Sequence, residues 1–188
     1  MRVSVVIPAF NEAGNIATLV KETYEVVPAH SLAEVIVVDD CSDDDTAAEI
    51  KALIGTLPGL RYLRHATRAG QSTAMRTGIL AASSPIIATM DGDGQNDPRD
   101  IPRLLTKLAA PGASGPALVG GVRTNRQAEG SKRLASRFAN WLRDAILKDD
   151  CPDTGCGIKV YWREAFLRLP FFTSIHRYLP ALFQTYGH

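Results

Sequence analysis

The chain reads as a single α/β domain, with a mostly parallel central sheet flanked by helices. Three observations predict this. Short apolar runs, rich in β-branched residues, recur at 3–7, 35–38 and 86–90. Apolar residues at helical spacing lie between them, and polar, Asp-containing turns follow the runs. A length of 188 residues with 45% apolar and 22% charged residues suits one hydrophobic core rather than two.

Val3-Ser4-Val5-Val6-Ile7, closed by Pro8, has the composition of a strand buried on both faces. From Asn15 onward, Ile16, Leu19, Val20, Thr23 and Val27 recur at helical spacing, and Val35 to Val38 form a second strand ending at Asp39 and Asp40. Asp43, Asp44 and Asp45 then precede a helix patterned on Ala47, Ile50, Ile54 and Leu57, where carboxylates are expected to cap free N–H groups. Leu60 to Leu63 is a third strand. It leads to a helix bearing Met75, Ile79 and Ala82, and Ile86 to Met90 forms a strand running into Asp91. Pro98 opens a helix with Ile101, Leu104, Leu105 and Leu108. A loop from Pro111 to Pro116, a strand from Ala117 to Val122 and a longer helix carrying Leu134, Phe138, Trp141, Leu142 and Ala145 complete the pattern. Such alternation implies right-handed crossovers and ligand binding beyond the carboxyl ends of the strands.

A net charge of +1 argues against nucleic acid as a partner, yet charge is segregated locally. Residues 91–100 hold Asp91, Asp93, Asp97 and Asp100, and residues 123–137 hold Arg123, Arg126, Lys132, Arg133 and Arg137. An acidic metal site and a basic phosphate site could share one cleft. Cys41, Cys151 and Cys156 are odd in number and lack metal-ligand spacing, so reduced thiols are expected. The first eight residues lack the apolar length of a secretory signal, which makes the cytoplasm the expected compartment, and no apolar run approaches the ~20 residues that span a bilayer.

The loop Pro8-Ala9-Phe10-Asn11-Glu12 follows the first strand without the glycine pattern of a dinucleotide cradle or a P-loop. Asn11, Glu12, Asp39 and Asp40 could bond a base or ribose, or serve only as turn residues. The strongest feature is Met90-Asp91-Gly92-Asp93-Gly94-Gln95. Its glycines let the backbone turn so that the Asp91 and Asp93 carboxylates and the Gln95 carbonyl can face one point, a hard-oxygen set suited to Mg2+ or Mn2+. An EF-hand is excluded, because the third acidic position and the closing Glu are missing.

The order Val-Ile-Pro-Ala-Phe-Asn-Glu, Val-Val-Asp-Asp-Cys-Ser-Asp, Met-Asp-Gly-Asp-Gly-Gln resembles the family 2 glycosyltransferases, and among them the polyprenyl-phosphate sugar transferases, the group that includes dolichol-phosphate mannose synthase. Gly121-Val122-Arg123, Ser136-Arg137-Phe138-Ala139-Asn140 and Asp153-Thr154-Gly155-Cys156-Gly157 extend the likeness over residues 3 to about 182. The resemblance implies a glycosyltransferase A type domain that binds a GDP- or UDP-sugar donor. It places Pro8, Phe10, Glu12, Val38, Asp40, Asp91, Gly92 and Asp93 at the nucleotide sugar, Asp93 and Gln95 on Mg2+ or Mn2+, and Arg123 on phosphate. Arg137 is a further phosphate candidate or a helix-face ion pair, and His176 and Arg177 either meet the acceptor phosphate or pack structurally. With polyprenyl phosphate as acceptor, Asp153 need only orient groups. With a saccharide hydroxyl it would be the base, and a nucleotide-sugar-binding module lacking catalysis is the remaining reading. Family members continue beyond the position of His188 with a basic segment, so the resemblance implies one catalytic domain over 1–188 lacking its C-terminal part, peripheral at the cytoplasmic face of a membrane.

Overall fold

Strand β1 (Val3–Ala9) is buried along its whole length, as its unbroken apolar run requires. It is the central strand of a computed structural model that describes residues 1–109, 115–121 and 156–187. In chain order the described elements continue with α1 (Ile16–Val26), β2 (Leu32–Asp39), α2 (Thr46–Leu53), β3 (Leu60–Arg64), α3 (Gln71–Ala81) and β4 (Ile86–Thr89). Then come α4 (Asp100–Leu108), β5 (Leu118–Gly120), β6 (Lys159–Trp162), α5 (Arg163–Leu167), a 3-10 turn at Ile175–Arg177 and α6 (Leu179–Thr185).

The strands form one six-stranded sheet in the order β3-β2-β1-β4-β6-β5. β1 pairs in parallel with β2 and β4, and β2 with β3, whereas β6 runs antiparallel to both β4 and β5. The sheet is therefore mostly parallel, as the alternation predicts, with β6 as the one reversal among the described strands. Pleating divides the core in two. Val3, Val5 and Ile7 face α1, α2 and α4, while Val6 faces α3, Tyr161 and the C-terminal helices.

One sequence expectation is corrected and one strand is added. The second helix stops at Leu53, and Ile54, expected on its apolar face, is 46% exposed and forms a bridge with Leu57 in a turn instead. The reversed strand β6 was not read as a strand. It is four residues long and begins with a lysine, too little for a period to register. The longer helix expected around residues 134–145 lies outside the described residues. No described helix is long and apolar enough to cross a membrane.

Glu34, at the start of β2, ties together the amino ends of the strands. Its carboxylate accepts from Ser4 Oγ at 2.7 Å, from the Ser83 N–H and hydroxyl at 2.7 and 2.6 Å, and from Arg61 Nη1 at 2.7 Å. Burial alone would raise its pKa, but the bonds from Ser83, Arg61 and Ser4 outweigh burial and hold it at about 2. Because the folded value lies below the unfolded one of 4.5, this stabilisation is complete above pH 4.5 and is lost as pH falls towards 2. A fall of about 3 kcal/mol over that window is expected from this group. Urea denaturation at the two pH values should show Glu34→Gln losing correspondingly less.

Candidate functional site

A cavity of about 300 Å3 opens at the carboxyl ends of the strands, lined by Pro8, Phe10, Glu12, Asp40, Arg68, Gly70, Gln71, Asp91, Gly92 and Asp93 among others. Phe10 follows β1, Asp40 follows β2 and Asp91 lies just beyond β4. These strands are neighbours in the order β2-β1-β4, where the chain's crossovers change direction and loops part to leave a crevice.

The loop after β1 is fastened through its own amides. Asn11 N–H donates to Ser42 Oγ at 3.0 Å, Glu12 N–H to Thr46 Oγ1 at 2.8 Å, Ala13 N–H to Asp44 Oδ2 at 3.0 Å, and Gly14 N–H to Glu49 Oε1 at 2.7 Å. The Asn11 side chain adds a reciprocal pair with Asp43 at 2.7 and 3.1 Å, holding a left-handed backbone (φ 56°) that asparagine tolerates better than most residues. Asp43 and Asp44 thus serve chiefly as acceptors for this loop. Only Asp44 also acts at the helix they precede, accepting from Thr46 N–H at 3.0 Å, and Asp45 makes no side-chain capping bond. Asp39 is likewise internal: fully buried, it accepts from Ser42 N–H at 2.7 Å and the Tyr62 hydroxyl at 2.5 Å.

Asp40 holds the opposite wall. Its Oδ1 accepts from His65 Nδ1 at 2.7 Å and Ala69 N–H at 2.8 Å, and its Oδ2 from Gly70 N–H at 2.7 Å. An ionised carboxylate only accepts, so the Nδ1 of His65 carries the proton, while Nε2 meets Thr77 Oγ1 at 3.0 Å. Burial raises the pKa of Asp40, but the bonds from His65, Ala69 and Gly70 more than offset it and leave the group below its ordinary value. The segment so pinned carries Arg68, whose guanidinium lies 3.8 Å from the centroid of the Phe10 ring.

On the third side, Gln71 Nε2 donates to Asp91 Oδ1 at 2.6 Å, and Gln95 N–H donates to Asp93 Oδ1 at 3.0 Å. Glu12 is shifted upward by burial and by the negative charges of Asp93, Asp44 and Asp91, against a lowering bond from Asn15. Negative potential is thus concentrated where Asp91 and Asp93 face the cavity. Gly157 makes room for this arrangement, because a Cβ there would overlap Asp91 Oδ2 and come within 2.7 Å of Asn96 Nδ2. Among the described residues, no three His, Cys, Asp or Glu side chains are arranged to enclose a metal ion. Gln95 is exposed and does not line the cavity.

Of the other sequence candidates, Val38 packs in the core, its Cγ2 lying 3.1 Å from where a Cβ on Gly78 would stand. His176 Nδ1 meets the buried Ser72 Oγ at 2.8 Å. Burial, then the charges of Arg177 and Lys159, push its pKa down to about 4, so it is neutral at pH 7. Arg177 is exposed. Arg123, Arg137 and Asp153 lie outside the described residues. Sequence reasoning missed Arg68, His65 and Gln71. Their one signal was position: Arg68-Ala69-Gly70 follows the third strand and opens a helix, where ligand-binding turns belong.

Residues 4–169 match the model of the family described as Glycosyl transferase family 2. The chain is 32% identical over 183 residues to the dodecaprenyl-phosphate galacturonate synthase of Rhizobium johnstonii, covering 96% of this chain and 54% of that protein. It is 31% identical over 195 residues to an undecaprenyl-phosphate 4-deoxy-4-formamido-L-arabinose transferase of Sodalis glossinidius, covering 99% and 56%. The chain thus spans about half the length of the curated relatives it matches. Among solved structures, a mannosyltransferase of Pyrobaculum calidifontis in complex with GDP-Man and Mn2+ superposes with a TM-score of 0.68 at 28% identity, over 90% of this chain and 47% of that one. Glucosyl-3-phosphoglycerate synthase of Mycobacterium tuberculosis in complex with Mg2+ and UDP gives 0.73 at 25% identity, over 90% and 59%. Both carry the glycosyltransferase A fold.

Thr46→Val keeps the shape of the buried Thr46 side chain but leaves the Glu12 N–H without its acceptor. A destabilisation of about 1–3 kcal/mol is expected in urea denaturation.

Proposed function

We propose that this chain, which belongs to glycosyl transferase family 2, transfers a sugar from a nucleoside-diphosphate donor to a polyprenyl phosphate, with inversion at the anomeric carbon. The observation that carries the reading is the cavity itself, which gathers Phe10, Glu12, Asp40, Asp91 and Asp93 on three adjacent strand ends. Relatives that act on dodecaprenyl and undecaprenyl phosphate supply the acceptor class. The bilayer-borne acceptor implies peripheral work at the cytoplasmic face of a membrane.

The donor chemistry suits a divalent cation. Hard carboxylate oxygens at Asp91 and Asp93 favour Mg2+ or Mn2+, and Glu12, raised by burial and then by the charges of Asp93, Asp44 and Asp91, adds a carboxyl beside them. Asp93, with Gln95 turned inward, would hold the ion. Because the described residues offer too few oxygens to close the shell, donor phosphates would complete it. Bound there, the cation supplies Lewis-acid stabilisation of the diphosphate as it departs. Asp91 is kept in place by Gln71 and by the clearance at Gly157. Arg123, from the basic stretch, is proposed to meet the same phosphates, with Arg137 as a second candidate.

The acceptor phosphate is already anionic. Its oxygen forms the new bond to the anomeric carbon as the bond to the donor's diphosphate breaks, and no proton has to be removed. Asp153 is then proposed to orient groups rather than act as a base. Neutral His176, anchored to Ser72 next to Gln71, would meet a phosphate as a hydrogen-bonding group beside the charge of Arg177.

Incubation with Mn2+, radiolabelled UDP- and GDP-sugars and undecaprenyl phosphate should yield labelled lipid. Its absence with every donor overturns the reading. Asp93→Asn should cut turnover about a hundredfold or more, the loss of several kcal/mol of charge stabilisation. Gly157→Ala, which drives Asp91 from its position, should weaken Mn2+-dependent donor binding in calorimetry by about tenfold, equivalent to ~1.4 kcal/mol.

A further inference from the structure

Between α5 and the 3-10 turn the chain runs Pro170-Phe171-Phe172-Thr173, exposed throughout and without a charge. Phe171 is 38% exposed and Phe172 39%, and Tyr178, 40% exposed, lies beside Phe172 with ring centroids 6.1 Å apart. Packing of the core does not account for three neighbouring rings left partly in water, and a contiguous patch of this kind marks a surface that meets something else. The patch stands near the cavity. The guanidinium of Arg76 on α3 lies 4.8 Å from the centroid of the Phe171 ring, and Ser72 on the same helix is bonded to His176 at 2.8 Å. Gln71, which lines the cavity, begins that helix, about 7.5 Å along its axis from Arg76.

The charge around the rings is of one sign. Arg76, Arg168 and Arg177 are exposed, and neither α3 nor residues 165–188 contain an aspartate or glutamate. Arg168 has Glu164 as a partner, in a pair exposed on both sides that holds it weakly. A second copy docked about a two-fold axis would set arginines against arginines. Anionic headgroups would instead meet the guanidiniums with phosphate, while the aromatic rings enter the boundary between headgroups and acyl chains.

We propose that Phe171, Phe172 and Tyr178, with Arg76 and Arg168, form the face by which this chain docks on an anionic bilayer. The inference rests on the proposed transfer to a polyprenyl phosphate and gives that reading a direction. Because the face adjoins the cavity through α3, docking on it brings the cavity to the headgroup layer, where the acceptor phosphate lies.

Cosedimentation of the full chain with phosphatidylglycerol–phosphatidylcholine vesicles and with phosphatidylcholine vesicles tests it, alongside transfer to undecaprenyl phosphate held in the vesicles or in neutral detergent micelles. The unaltered chain is expected to bind the anionic vesicles at least about fivefold more tightly, and less so as salt rises. Phe171→Ser combined with Phe172→Ser should cut vesicle binding about tenfold or more and slow transfer in vesicles, with transfer in micelles little changed. Arg76→Gln combined with Arg168→Gln should remove most of the preference for anionic vesicles. An unaltered chain that stays in solution, or serine variants that bind vesicles as well as it does, overturn the inference. So does a dimer in analytical ultracentrifugation that the serine variants dissociate, which gives the face to a second copy. Transfer in micelles separates these failures from that of the function, since its absence with every donor overturns the transferase reading whatever the vesicles show.

Discussion

Four consecutive backbone N–H groups, from Asn11 to Gly14, are each taken by a side chain of α2 or of the segment that leads from β2 into it. In folds that cradle a dinucleotide, amides at this place point at phosphate. Their capture here removes that possibility and determines how the rest of the cavity must work. On the proposed reading, charge on a donor diphosphate would be met by cations, and carboxylates that could recruit a divalent ion lie on the β4 side. The same bonds make the loop stiff, with Phe10 and Glu12 set by contacts to neighbouring segments rather than by the loop's own turn.

The wall opposite depends on one buried carboxylate. Asp40 organises the turn between β3 and α3 through two amides and an imidazole, and Gly70, in a left-handed conformation (φ 90°), lets the chain present its N–H to Oδ2 before the helix begins. A pocket built this way is preorganised: donors and acceptors are fixed before any ligand arrives, which limits the entropy lost on binding.

Much of this was legible in the sequence where pattern and physics coincide. β1, β2 and β4 are unbroken apolar runs because both faces are buried, and α4 shows its apolar stripe because only one face is. The pairing of Asp91 with Asp93 across Gly92 was equally plain, as was the position of both beyond a strand. What escaped was relational. Nothing near Asp43 and Asp44 in the chain says that their partners are Asn11 and Ala13, and helix capping is the local answer when the distant one is invisible. Arg68 carried no motif, because its meaning comes from stacking on Phe10, 58 residues away in sequence (68 less 10). β6 was missed for a related reason: pairing with β4 and β5, not its own composition, makes it a strand.

β5 ends at Gly120 and β6 begins at Lys159, and the two lie side by side in opposite directions. Residues 121–158 begin and end at neighbouring strands, so their number can change without altering strand register elsewhere. Divergence can therefore insert, delete or rewrite that stretch at small cost to folding while the half built on β1 to β4 stays constant. The cavity built on β1, β2 and β4 is thereby insulated from changes at the far side of the sheet.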